Sequence, residues 1–250
     1  MSRKAMILAA GLGTRLASLT SNKPKALVEL WGKPLLYHVT KKLVENGFDD
    51  ITINVHHFSD RIMEYVETDQ YLSLTNSVNA KIKISDETDF LLDTGGALLH
   101  AAPLLFGEND KAILVHNVDI ISNANLSELY DKGKNSDASL LVSQRDTQRL
   151  LLFNNEQRLV GWTNIATQEV KTPFQNLKID DFAKRAFAGI HVVTKRAVDT
   201  MENMGQSKFG IMDFYIKNAD KLIIKGIEQD NLSITDVGKI EMLNRLNNPQ

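Results

Sequence analysis

The sequence predicts an α/β fold: a mixed, mainly parallel sheet flanked by helices, with a smaller α+β lobe following it. Three observations carry that expectation. Apolar runs alternate with segments of helical period through the first half of the chain. After residue 135 the rhythm changes to strand candidates in direct succession. The 250 residues, 43% apolar and 24% charged, are enough to build a substantial core. Strands separated by helical segments of this length need right-handed crossovers, which give a Rossmann-like sheet covered on both faces.

Residues 4–9 read as a short buried strand, apolar and ended by glycine. Pro34 suits a first helical turn, and Leu35, Leu36, Val39 and Leu43 recur at helical spacing until Gly47. DITINV (50–55) is a second strand. Ile62, Tyr65 and Val66 mark a helix in SDRIMEYVET, with Ser59 as its cap. AKIKIS (80–85) alternates like a strand, GGALLHAAPLLF (95–106) reads as a helix opened by two glycines, and KAILVHNVD (111–119) is an apolar strand with a polar end.

Beyond residue 135, DASLLVSQ, RLLLFNN and RLVGWTN are strands, with NNEQ (154–157) a hairpin turn. RAFAGIHVVT (185–194) adds another strand, and KRAVDTMENMG and IMDFYIKNADK are helical. No linker of Gly, Pro or Ser divides the chain. One domain over 1–250 is expected, with lobes at 1–135 and 136–230 and a closing segment at 231–250. The Asn-rich tail NRLNNPQ is expected to fray.

Composition narrows the function classes. Twenty-nine basic and thirty-one acidic residues leave a formal charge of −2, which gives no reason to expect nucleic acid or an anionic membrane as partner. There is no cysteine, so disulfides, thiolate metal sites and cysteine nucleophiles are excluded. The basic start and short apolar run of MSRKAMILAAGLG mimic a signal peptide only briefly. The run stops short of the roughly 7–15 residues an h-region needs, and no other apolar stretch approaches a spanning helix. A cytoplasmic location is expected.

The first strand runs into AAGLGTR. Successive N–H groups from Ala10 to Gly13 can form a concave donor nest for an anion, and glycine permits the close approach. A dinucleotide turn would place its third glycine where this chain has Leu16, and INVHH lacks the acid that holds a ribose. A P-loop would end in G-K-(S/T). Arg15 offers a planar fork to phosphate oxygens and Lys25 a mobile point charge. Taken singly, Arg15, Lys23 and Lys25 read equally well as solvated loop charges.

The whole stretch LAAGLGTRLASLTSNKPKALVELWGKPLLYH (8–38) resembles the signature of the sugar-nucleotide pyrophosphorylases, the sugar-1-phosphate nucleotidyltransferases. That signature runs L-A-A-G-x-G-T-R-(L/M), a spacer, then K-P-(K/M) and a second basic-Pro pair. Ala17-Ser18 stand where many members have Arg-Pro. LLDTGGALLHA (91–101) is similar to the family's second nucleotide loop, ILVHNVDI (113–120) to its strand ending in N-G-D with Val118 for the glycine, and LSITDVGKIEMLNRL (232–246) to its closing segment, with Ile234 for the common Trp.

The resemblance implies the nucleotide-diphospho-sugar transferase fold, with 1–135 as nucleotide lobe, 136–230 as sugar lobe and 231–250 as metal-ligand segment. It implies an NTP condensing with a sugar 1-phosphate to give an NDP-sugar and pyrophosphate. Ala10, Gly11, Gly13, Thr14 and Arg15 would hold the nucleotide phosphates, Lys25 would face the α-phosphate, and Gly95 and Gly96 would let the base pass over the backbone. Asp119 and Asp236 would hold the catalytic Mg²⁺, a hard cation suited to carboxylates and phosphate oxygens. Read alone, each aspartate could equally cap a helix. Gly189, in a strand similar to the family's sugar-lobe strand, would admit the sugar. Asn117 and Asp213 join it as sugar-side candidates, with Trp162, Thr163 and Asn164 as lesser ones. His56, His57 and His116 read as structural.

The compact length and T-G-G loop look closest to the N-acetylmuramate-1-phosphate uridylyltransferases of cell-wall recycling. The guanylyltransferases acting on mannose or heptose 1-phosphate are the alternative, and a catalytically silent nucleotide sensor is a third reading. A chain ending just after TDVG implies no C-terminal β-helix. A monomer or homodimer, with no nucleic acid or membrane partner, is expected.

Overall fold

The computed structural model describes residues 2–16 and 19–248, so the Ala17-Ser18 departure lies outside the described residues. The chain begins with β1 (Lys4–Leu8), a short ladder of β2 (Glu29–Leu30) with β3 (Lys33–Pro34), and α1 (Leu35–Glu45). It continues through β4 (Asp50–Val55), α2 (Ser59–Val66), α3 (Asp69–Asn76), β5 (Lys81–Asp86), α4 (Asp93–Leu105) and β6 (Ala112–Asn117). Then come β7 (Ile120–Ser122), α5 (Leu126–Gly133), β8 (Ala138–Ser143), β9 (Arg149–Phe153), β10 (Leu159–Asn164) and β11 (Glu169–Lys171). The last elements are β12 (Ala183–Thr194), α6 (Lys195–Glu202), α7 (Ile211–Lys217), β13 (Ile224–Ile227), β14 (Ile234–Asp236) and α8 (Ile240–Asn247).

One sheet of ten strands joins both halves in the order β11-β10-β9-β12-β6-β1-β4-β5, with β8 and β13 branching from β12. β6, β1, β4 and β5 run parallel, and β12 enters antiparallel beside β6. β1 lies between two parallel neighbours and is buried on both faces, which explains its unbroken apolar run. Ala5 and Ile7 point into one core with α1 and α5, while Met6 points into the other with α4, α6 and α7. The side-chain alternation of a strand divides them.

Local departures have local causes. Ser59 is the first residue of α2 rather than its cap; Phe58 holds that position in a left-handed conformation, φ 56°. α3 was not expected, because only Tyr71 and Thr75 of DQYLSLTN are buried and the apolar stripe is too sparse to register. The tail does not fray where expected. Residues 240–247 form α8, and the main-chain oxygen of Leu246 accepts a hydrogen bond from the Trp31 indole at 3.0 Å. Among the described residues no helix is long and apolar enough to cross a membrane.

Candidate active site

The site lies at the carboxyl edge of β1 and β6, where ligands gather in open parallel sheets. β1 releases the chain into the glycine loop. Asn54, buried near the end of β4, turns its Oδ1 to the N–H of Ala9 at 2.7 Å and of Ala10 at 3.4 Å. Its amide nitrogen donates to Glu87 Oε1 at 2.8 Å. The donor nest expected from Ala10 onward therefore starts one residue later, since the Ala10 N–H already serves Asn54. From Gly11 to Gly13 the N–H groups meet no acceptor among the described residues. Gly13 adopts φ 66°, and a methyl there would press on Thr20 Cγ2 at 2.8 Å, so the turn requires glycine.

A cleft of about 450 Å³ opens over this loop. Gly11, Gly13, Thr14 and Lys25 line it from one side, Asp93, Thr94 and Ala97 from another, and Asn117 and Asp119 from the end of β6 and the turn that follows it. Asn117, expected on the sugar side, thus faces the glycine-loop cleft. Buried Glu87 also borders it. Burial holds the Glu87 carboxyl above its ordinary pKa, only partly offset by the Asn54 hydrogen bond, and its second oxygen has no partner.

Gly95 and Gly96 do not border the cleft, contrary to expectation. A side chain on Gly95 would overlap the Phe209 ring and approach the Phe209 oxygen at 2.9 Å, and one on Gly96 would collide with the Ser207 oxygen. The Gly95 N–H bonds to Phe209 O at 2.9 Å. These glycines admit the 207–209 segment onto α4. Gly189, expected to admit the sugar, borders neither this cleft nor the larger one described below. It sits at the irregularity in β12 with φ 76°, and the space a side chain would take is filled by Ile120 at 2.8 Å and Asn117 Nδ2 at 3.1 Å. The room it leaves is taken by Ile120 of the core and by Asn117 on the cleft wall.

Asp119 and Asp236, far apart in sequence, are brought together. β7 begins just after Asp119 and pairs antiparallel with β14, which puts Asp236 opposite Ile120. The Val237 N–H bonds to Asp119 O at 2.9 Å, and the Gly238 N–H to Asp236 Oδ1 at 2.9 Å. α8 begins only at Ile240, so Asp236 caps no helix. A methyl in place of the Gly238 hydrogen would stand 2.8 Å from Asp119 Oδ2, 2.9 Å from Asp236 Oδ1 and 2.9 Å from Arg15 Nη2. Both carboxylates and the guanidinium converge on one point beside a residue without a side chain.

The cations sit on these acids. Lys25 Nζ pairs with Asp119 Oδ2, both groups being about nine-tenths buried. Arg15, more exposed, lies 3.6 Å from Asp119 and 3.4 Å from Asp236. The donor set fits a Mg²⁺ ion: two carboxylates, all oxygen, leaving the remaining positions to waters and phosphates. Among the described residues no group of three or more His, Cys, Asp or Glu is placed to hold a metal ion, so the two carboxylates are the whole of the protein's share.

A second, larger cleft of about 850 Å³ shares Arg15 and Asp236 with this centre. Asp213, in the first turn of α7, borders it and lies 3.4 Å from Lys171 Nζ. Trp162 and Asn164 border it from β10, whereas Thr163 is buried and donates to Glu169 O at 3.2 Å. His56 bonds to Glu87 O at 2.6 Å, and His116 to Asn117 O at 2.8 Å inside the core, as expected of structural histidines. Sequence reasoning missed the Asn54–Glu87 pair. The available signal was Asn54 near the end of the strand expected at 50–55, a polar group that must find partners once the strand is buried.

The Nucleotidyl transferase family pattern matches residues 4–149. Over 117 residues the chain is 42% identical to N-acetylmuramate alpha-1-phosphate uridylyltransferase of Caulobacter vibrioides, a match spanning 47% of this chain and 46% of that protein. Over 145 residues it is 30% identical to mannose-1-phosphate guanylyltransferase 1 of Arabidopsis thaliana, spanning 57% of this chain and 38% of that protein. The matches thus span less than half of either curated relative. The inositol-1-phosphate CTP transferase of T. maritima shares the fold, with a TM-score of 0.71 at 18% identity over 99% of this chain and 97% of that one. With the signature loop, the paired carboxylates and more than half its length matched, this chain belongs to the nucleotidyl transferase family.

Proposed function

We propose that this protein condenses a nucleoside triphosphate with a sugar 1-phosphate, releasing pyrophosphate and forming an NDP-sugar. The observation that carries the reading is the convergence of Asp119, Asp236, Arg15 and Lys25 beside a loop of unpartnered N–H groups. A phosphate oxygen of the sugar attacks the α-phosphorus, the bond to the β-phosphate oxygen breaks, and pyrophosphate leaves in line. The nucleophile is already ionised near neutral pH, so no general base is needed. Positioning and charge stabilisation carry the rate.

The N–H groups of Gly11, Gly13 and Thr14 would cradle the β- and γ-phosphates, with Arg15 opposing their charge. Lys25, on the wall of the same cleft, would serve the α-phosphate and the incoming sugar phosphate. Asp119 and Asp236 would hold the Mg²⁺, which when bound supplies positive charge between the two anions. The sugar would occupy the larger cleft, where Asp213, Asn164 and Trp162 offer two polar partners and an aromatic face.

The finer reading is UTP with N-acetylmuramate 1-phosphate, supported by the name of the Caulobacter relative. The Arabidopsis relative supports GTP with mannose 1-phosphate as the second reading. A silent nucleotide sensor would have no reason to retain Lys25 and both aspartates together. The test incubates the protein with Mg²⁺, each NTP in turn and a panel of sugar 1-phosphates while pyrophosphate is followed. Release with one pair names the substrates. Tight nucleotide binding without release from any pair would replace the enzyme with the sensor.

A further inference from the structure

The larger cleft is built on the face of a three-stranded extension of the sheet. Strand register puts Arg149, Asn164 and Glu169 in one row across β9, β10 and β11, and Leu151, Trp162 and Lys171 in the next. Residues paired this way share a face. The floor is thus an apolar and aromatic row with Lys171 over the Trp162 ring at 5.3 Å, beside a polar row that begins with an arginine.

Charge in this cleft does not balance. Five cations face three acids, and the acids lie on only two of those cations: Asp236 on Arg15, and Asp213 and Glu169 both on Lys171 at 3.4 and 3.9 Å. Arg145, Arg149 and Lys239 line the same cleft, and none forms an ion pair among the described residues. Arg145 is steadied by a 2.8 Å hydrogen bond to Phe187 O. Lys239 adjoins Gly238 and so stands next to the phosphate centre. Arg145 and Arg149 come from the β8–β9 turn and the start of β9, elements that contribute nothing to the glycine loop.

A neutral sugar presents hydroxyls that both donate and accept, and suits mixed partners such as Asn164 and Asp213. Guanidinium groups only donate and carry fixed charge, and their fork matches an anion. We propose that Arg149, with Arg145 on the same cleft, binds an acidic substituent that the acceptor sugar carries in addition to its anomeric phosphate. The protein then selects acidic sugar 1-phosphates over neutral ones. This rests on the nucleotidyltransferase reading and adds the residues that discriminate among its acceptors. A carboxylate and a second phosphate share the chemistry these arginines recognise.

The experiment measures kcat and KM for pyrophosphate release with matched acceptors. N-acetylglucosamine 1-phosphate is set against N-acetylmuramate 1-phosphate, and glucose 1-phosphate against both glucuronate 1-phosphate and glucose 1,6-bisphosphate. The acidic member of a pair is expected to be used at least about tenfold better. Preference for the carboxylate arms over the bisphosphate, or the reverse, identifies the substituent. R149M should shrink the acidic-to-neutral ratio by roughly tenfold to a hundredfold, the range for losing a hydrogen bond to a charged group, acting through KM. R149K should restore part of it. Equal use of acidic and neutral acceptors by the unaltered protein would overturn the proposal while leaving nucleotidyl transfer intact, as would an R149M that slows both alike. Absence of pyrophosphate with every acceptor would instead remove the reading on which the proposal stands.

Discussion

Replacing Gly238 by alanine tests the convergence at the centre of the site. The added methyl would lie 2.8 Å from Asp119 Oδ2, 2.9 Å from Asp236 Oδ1 and 2.9 Å from Arg15 Nη2. Carbon and oxygen ordinarily approach no closer than about 3.3 Å, so each group must retreat by roughly half an ångström. A misplacement of about 1 Å can cost on the order of a hundredfold in rate. Three simultaneous retreats of half that size predict a loss of ten- to a hundredfold in turnover. The atoms that move are the free ends of side chains, and Gly238 does not occupy the left-handed region. Stability should therefore change by no more than about 1 kcal/mol, roughly 2–4 °C in Tm for a chain of this size. Pyrophosphate release and thermal unfolding of G238A measure the two halves separately. Wild-type turnover in G238A would show that these three groups do not act from this geometry.

Three further outcomes are expected. Lys25→Ala should lower turnover by about 10²–10³, the range for removing one charge stabiliser, and intact pyrophosphate release would refute its role. Gly95→Ala should cost at least about 1–3 kcal/mol in urea unfolding, because the methyl overlaps the Phe209 ring and backbone; unaltered stability would contradict that packing. Burial depresses His116 from 6.5 to about 4 and His191 to about 3, and neither nitrogen of His191 finds a partner. Both are neutral when folded, so the unfolded chain binds more protons between pH 6.5 and 4 and stability falls as pH drops through that window. His116 alone accounts for about 3 kcal/mol of the loss, and His191→Leu should flatten the pH dependence seen in urea titrations at pH 7 and 5.

What the sequence revealed depended on how local each cause was. DITINV was read with its true ends because Ile51, Ile53 and Val55 alternate with polar residues at the period of a strand, and β4 indeed lies between two parallel neighbours. The three-residue strands β7 and β14 carry no period long enough to detect, yet they are what join Asp119 to Asp236. Spacing alone said nothing across that interval; only the resemblance to a family paired those acids. Gly95 and Gly96 did not announce their packing, because a glycine makes room without saying for what, and here Phe209 and its neighbours fill it. The row of Arg149 with Asn164 depends on strand register, which the hairpin residues did not specify.

The β7–β14 ladder also sets an order of events during synthesis. β1, β6 and the glycine loop leave the ribosome long before Asp236, so the loop is available to a nascent chain while the carboxylate pair is still half made. The meeting of Asp119 with Asp236 is then a late event, completed when the last strand docks. All ten strands of the large sheet precede that point, so a cut between β13 and β14 separates Asp119 from its counterpart without removing any of them.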